Sequence, residues 1–223
     1  MMNPIITDLK LQEAVMTKFR KVRNQKGFTL VELAIVLVII GIILAGIIKG
    51  QEMINNAKIK RAVGGAKEIT AAIYTYYDRY GKYPGDDNTA AARGGVWVGS
   101  VDGNGNGQIA GTAVTMFACT TGTGGGVEAC ALWDHLRRAN LITGATGDST
   151  NPANAYGGRI GVAYFALGTG LPTTVNWIGL STIPADVGQI IDTQNDDGNY
   201  QTGSVRGSAV YTGAAAINVN FKL

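Results

Sequence analysis

An α+β fold is predicted by three features of the chain. Residues 28–48 are an unbroken apolar run but for one carboxylate; apolar residues then recur at 3,4 spacing from Ile59 to Tyr80; and short alternating segments punctuated by glycine follow, chiefly after residue 159. Three stretches result: a basic leader over 1–27, a long helix over 28–81, and an α+β domain over 82–223, large enough to bury a core of its own.

The leader holds Lys10, Lys18, Arg20, Lys21, Arg23 and Lys26 against Asp8 and Glu13. The whole chain has a formal charge of +3, so the +4 of the leader leaves the remainder at −1. A basic, nucleic-acid-binding character therefore loses its support once the leader is discounted, and no specific nucleic-acid partner is predicted.

The apolar run of 21 residues would be ~32 Å long as a helix, enough to cross a bilayer. Glu32 sits near its start, where a charge is disfavoured by ~2.5–3.5 kcal/mol on insertion scales and calls for a partner. The run is not followed by the small-residue cleavage site of a secretory signal. A cut ahead of it, between Gly27 and Phe28, would leave a cationic α-amine on Phe28, close to Glu32. The alternative is an ordinary single-pass anchor with a stray glutamate. Lys and Arg flank the run on both sides, so charge alone does not orient it.

Gly27-Phe28-Thr29-Leu30-Val31-Glu32, behind a basic leader and ahead of an apolar helix, resembles the signal of the type IV pilin superfamily, which includes the pilins and the pseudopilins of type II secretion. The resemblance implies that a prepilin peptidase cuts after Gly27 and methylates Phe28. It further implies that Glu32 neutralises the N-terminal amine of a neighbouring subunit in a filament. The implied partners are identical or related pilin subunits, the peptidase and an inner-membrane assembly platform. The implied location is a single-pass inner-membrane precursor with a periplasmic domain, and then an extracellular or periplasmic filament. The implied fold is a long N-terminal helix laid on a small antiparallel sheet. The chain departs from many pilins in having Lys49 where they carry a proline, which leaves Gly41, Gly46 and Gly50 as the helix breakers of this stretch.

Beyond the membrane, Ile59, Ala62, Ala66, Ile69, Ile73, Tyr76 and Tyr80 define one face of an amphipathic helix, ended by Gly81 and Tyr83-Pro84-Gly85 and with a candidate bend at Gly64-Gly65. That face packs either on the rest of the domain or on another chain as a short coiled coil. A helical turn is expected over 86–92, a strand over 96–101, and a second amphipathic helix from Leu132 to Leu141. Strands are expected over 159–167, 173–180, 204–211 and 216–223, with a short helix over 185–193.

Cys119 and Cys130 are the only cysteines. In an exported domain an isolated pair is most simply a disulfide, with two free thiols as the alternative. Calcium is the one cofactor the sequence suggests. Asp102, Asn104 and Asn106, followed by Gly107, match the start of a calcium loop but lack the carboxylate at the twelfth position, where Ala113 stands; a Gly/Asn hairpin turn is the other reading. Asp192, Asp196 and Asp197 form a second candidate, with a solvated, capped helix end as the alternative. No nucleophile elbow, phosphate loop or zinc spacing is present, and His135 is expected on an ordinary helix surface. Enzymatic function is therefore not predicted. Trp97, Trp133 and Trp177 are expected mainly in the core, with a glycan- or DNA-binding surface as the alternative.

Overall fold

The computed structural model describes residues 27–122, 127–168, 173–213 and 215–223. The leader over 1–26 and the glycines 124–126 lie outside the described residues. The chain divides into two compact units, Met1–Glu52 and Met53–Leu223.

Helix α1 spans Leu30–Tyr80 without interruption, passing through Gly41, Gly46 and Gly50 and through the Gly64-Gly65 pair where a bend was expected. In the first unit its side chains are exposed throughout 30–49, including Leu30 at 87%. Among the described residues α1 is the one helix long and apolar enough to cross a membrane.

In the second unit, Ile59, Ala62, Ala66, Ile69, Ile73 and Tyr76 are buried in the core of the unit itself, so the 3,4 register is a packing face. Ile73 and Tyr76 are completely buried. Each such side chain contributes roughly 1.5–3 kcal/mol relative to exposure.

The sheet is antiparallel with strand order β1-β2-β4-β3, where β1 is Ile160–Leu167, β2 Thr173–Pro184, β3 Val205–Gly207 and β4 Ala216–Lys222. The register pairs Val162 with Ile178 and Ile178 with Phe221, and Ile160 with Leu180 and Leu180 with Val219. Residues paired in register share a face, which gives one sheet face Ile160, Val162, Ile178, Leu180, Val219 and Phe221. Ile160 on this face reaches α1, where a Cβ on Gly65 would lie 3.3 Å from its Cδ1. The opposite face carries Gly161 and Gly179 side by side, and a Cβ on Gly179 would lie 2.7 Å from the Phe117 ring and 2.8 Å from Met116. The short 3₁₀ turn Thr115–Phe117 is pressed against the sheet there.

Helix α2, Glu128–Arg138, is buried on nearly every side, and α3, Ala185–Asn195, packs against β2, β3 and β4. Several expectations are corrected. Residues 96–101 form no strand: Gly95–Trp97 is a 3₁₀ turn, and the carbonyls that would have paired with a neighbour are taken by α2. Arg138 donates to the carbonyls of Val96 and Val98, and His135 Nε2 lies 2.8 Å from that of Val101. The expected helical turn over 86–92 is reduced to a 3₁₀ turn at Ala91–Arg93. The second helix begins earlier and ends earlier than its apolar spacing suggested. The strand expected over 204–211 shrinks to β3, because Asn218 N donates to the Ser208 hydroxyl and the chain beyond turns so that Tyr211 packs beside Gly188 of α3.

Candidate functional site

Gly27, Phe28 and Thr29 precede the first turn of α1, and Phe28 is 80% exposed. The Gly27-Phe28 peptide bond is thus outside the helical hydrogen-bond ladder. Thr29 caps the helix. Its hydroxyl accepts from Glu32 N at 3.2 Å, while the Glu32 carboxylate accepts from Thr29 N at 2.8 Å and from the Thr29 hydroxyl at 2.9 Å. This reciprocal capping box satisfies two otherwise orphaned donors. The Thr29-Leu30-Val31-Glu32 spacing carried that signal, which the reading of Glu32 as a charge in lipid overlooked. Glu32 therefore has a local partner in a lone copy, and one carboxylate oxygen, Oε1, takes no hydrogen bond within the described residues.

The disulfide is present between Cys119 and Cys130, fixing the first turn of α2 to the segment after Thr115–Phe117. In the chain-entropy model a closure of this length contributes about 3 kcal/mol.

The two calcium candidates differ. Around Asp102, Asn104 and Asn106 the chain forms no hairpin: it wraps around Asp86, whose carboxylate accepts from Gly105 N and Gly107 N at 2.7 Å and from Asn106 N at 2.9 Å. A Cβ on Gly103 would lie 2.3 Å from the Gly85 carbonyl, so the wrap requires glycine at that close approach. Asp102 accepts from Ala91 N, Asn104 from Asn106 N, and Asn106 from Gln108 N, so the three oxygens serve separate amides. Asp192, Asp196 and Asp197 do converge, each offering an oxygen within 4.8 Å of the others. Such oxygens suit a hard cation. Asp192 accepts from the Tyr211 hydroxyl at 2.6 Å and Gly198 N at 3.0 Å, Asp196 from Ser204 N and from Val205 N, and Asp197 from Asn199 N and the Thr202 hydroxyl. Burial pushes the Asp192 carboxyl up, and the charges of Asp197 and Asp196 add to the rise against the hydrogen bonds from Tyr211 and Gly198.

His135 is completely buried, correcting its expected place on a helix surface. Its Nδ1 accepts from Gly85 N at 2.9 Å, so Nε2 carries the proton toward the Val101 carbonyl. Burial lowers its pKa against the hydrogen bond to Val101 and the charges of Asp87 and Asp134. With both nitrogens occupied by backbone, the ring ties two loops to α2. Asp134, Arg137 and Arg138 do the same for neighbouring segments: Asp134 accepts from Gly147 N, Arg137 donates to the carbonyls of Asp148 and Thr150, and Arg138 holds Val96 and Val98. Trp97, Trp133 and Trp177 are all buried.

A second buried polar centre joins α1 to the first loop. Asp87 is fully buried and accepts from the Tyr76 hydroxyl at 2.7 Å, from Thr89 and from Arg93, whose guanidinium lies 4.1 Å from the Tyr80 ring centre and 4.8 Å from that of Trp97. No spacing in the sequence announces this cluster, because its members meet only through the tertiary fold.

Residues 22–48 match the family model of the prokaryotic N-terminal methylation motif. The chain is 37% identical over 67 residues to a fimbrial protein of Neisseria meningitidis serogroup B (strain ATCC BAA-335 / MC58), covering 30% of this chain and 39% of that protein. It is 40% identical over 68 residues to the type IV major pilin protein PilE1 of Neisseria gonorrhoeae, covering 30% of this chain and 41% of the pilin. The chain thus spans about two fifths of the length of these curated relatives. No solved structure matches it. The methylation motif and these pilin relatives coincide with a capped, exposed apolar helix that begins just after Gly27-Phe28, and over this N-terminal stretch the chain is similar to type IV pilins.

Proposed function

We propose that the chain is a structural subunit of a type IV pilus-like filament, without enzymatic activity. It is made as a single-pass inner-membrane precursor with its globular domain in the periplasm, cut after Gly27 and N-methylated at Phe28 by a prepilin peptidase. An assembly platform then lifts it into a filament of identical or related subunits. The observation that carries this reading is the methylation motif over 22–48 set against an apolar stretch exposed over its whole length. That surface requires lipid or the helices of other subunits around it. Glu32 then completes the logic: a carboxylate near the helix start, one of whose oxygens takes no hydrogen bond among the described residues, is a partner for the Phe28 amine of a neighbouring copy.

Cleavage is tested by Gly27→Ala, expected to leave the full-length precursor in the membrane and to reduce mature protein by at least about tenfold. Intact mass and N-terminal analysis of the wild type should give a methylated Phe28. A Gly27→Ala chain still trimmed to Phe28 and assembled normally defeats the processing assignment.

The second reading is a pseudopilin of type II secretion, a group for which the resemblance implies a calcium site in some members, and the converging carboxylates of Asp192, Asp196 and Asp197 would hold such an ion here. A calcium ion there would relieve the mutual repulsion of three acidic groups. On this reading, calcium at about 100 times its dissociation constant raises stability by roughly 2.7 kcal/mol, seen as a higher melting temperature than in chelator. Identical melting in calcium and chelator rejects the ion at this turn.

A further inference from the structure

Two surfaces of the Met53–Leu223 unit carry charged side chains that enter no ion pair among the described residues. The first is a groove of about 1130 Å³ beside α1, floored by Ala62, Gly64 and Gly65 and walled by the connection between α2 and β1. Lys60 and Arg61 stand exposed at this groove, and neither enters an ion pair among the described residues. Arg137 also lines the groove but is buried and paired with Asp148, and Glu68 is the carboxylate of the lining. The second surface is the turn after α3, where Asp196 and Asp197 stand beside the buried Asp192, with only neutral donors on the three carboxylates. Arg206 is the cation beside this turn, and its guanidinium is spent on the carbonyls of Gly203 and Leu167.

Sheet topology keeps these surfaces apart. The groove reaches β1 through Ile160, and β1 is one edge of the sheet. The acidic turn is tied to β3, the opposite edge, through Asp196 and Val205. One copy cannot bring its own turn to its own groove. A second copy can, and such a head-to-tail contact leaves a free turn at one end and a free groove at the other, so it propagates. The groove floor bears on the same point. A Cβ on Gly64 would meet nothing within 4 Å, yet glycine within a helix costs ~1 kcal/mol relative to alanine. No internal contact requires the bare backbone there, whereas close approach from outside would.

We propose that the Asp192–Asp197 turn of one copy docks in the Lys60–Arg61 groove of the next, as a lateral contact between globular units. This inference rests on the filament reading above and adds the partner surface to it. The like-charged variants test it in the full-length chain, because Lys60 and Arg61 are exposed and unpaired and can be changed without disturbing the core. Lys60→Glu with Arg61→Glu is expected to lower filament yield at least about tenfold, as like charges then face each other, with circular dichroism and melting temperature unchanged. Adding Asp197→Lys should restore much of the yield. Independently, filaments carrying Arg61→Cys and Asp197→Cys, treated with a short bismaleimide, should give a ladder of dimers and higher species that neither single variant gives. Filaments that form but give no ladder, or a charge reversal without effect on yield, overturn the contact and leave the subunit reading standing. A position-61 cysteine captured by a different protein in place of position 197 overturns it as well. A chain that never assembles overturns both.

Discussion

Replacing Glu32 by alanine is expected to leave membrane insertion and cleavage intact while reducing assembled filament by at least tenfold, because removal of one partner from a buried ion pair costs about 3–5 kcal/mol. The capping box complicates the alanine variant, which also loses the bonds from Glu32 to Thr29, and loss of a cap costs about 1 kcal/mol. Glu32→Gln separates the two roles. Glutamine at the third helical position still reaches back to the cap but cannot neutralise an amine. Under the proposed mechanism Gln and Ala assemble equally poorly, measured as sheared filament relative to membrane-retained, cleaved subunit. If Gln restores wild-type assembly, Glu32 acts as a helix cap alone and the charge-pair account fails. Carboxylate-specific function therefore rests on the failure of the cap-preserving glutamine variant, which a helix-stability effect cannot imitate.

The parts of this molecule that were legible in the sequence are those encoded by local periodicity. The 3,4 spacing from Ile59 to Tyr80 marks a buried face, and the alternation at Ile217, Val219 and Phe221 marks the start and course of β4. The processing segment was equally legible, since its residues are contiguous. What periodicity cannot show is where a polar side chain spends its hydrogen bonds. Residues 96–101 have strand-like composition, yet their carbonyls go to Arg138 and His135. The Asp102–Gly107 stretch has the spacing of a cation loop, yet its amides point at Asp86 across a long sequence separation. His135 looks like a surface residue because its helix is rich in charge; in the fold those charges face inward to hold loops. A domain with few regular strands relies on such side-chain acceptors and donors to satisfy its loop backbone, and they are set by tertiary contacts.

The largest expected effect on stability belongs to Arg93. Its guanidinium lies over Tyr80 and Trp97 and pairs with the buried Asp87, so Arg93→Ala is expected to destabilise the globular unit by about 3–5 kcal/mol near neutral pH. That is a large share of the ~5–15 kcal/mol that holds a domain together. The pH dependence identifies the cause. Burial pushes the Asp87 carboxyl up, but the hydrogen bonds from Tyr76, Thr89 and Arg93 outweigh it and hold its pKa below the ordinary 3.8. A depressed carboxylate contributes stability that is present above the unfolded-state value and lost as pH falls through the folded-state value. The wild type should therefore begin to lose this contribution below about pH 4, where the carboxyl protonates in the unfolded chain, and lose it fully only as pH falls through the lower folded-state value, whereas the variant, with fewer donors on that carboxylate, has less to lose. Urea melts of full-length chains in detergent should show a gap between wild type and variant that narrows as pH drops from about 7 to about 3. A gap of constant size across that range would mean that Arg93 acts by packing between the two rings, with no share from its charge. Asp87→Asn provides the converse control: it keeps an acceptor for Tyr76 and should remove most of the pH dependence below pH 4 while leaving Arg93 stacked on its aromatic neighbours.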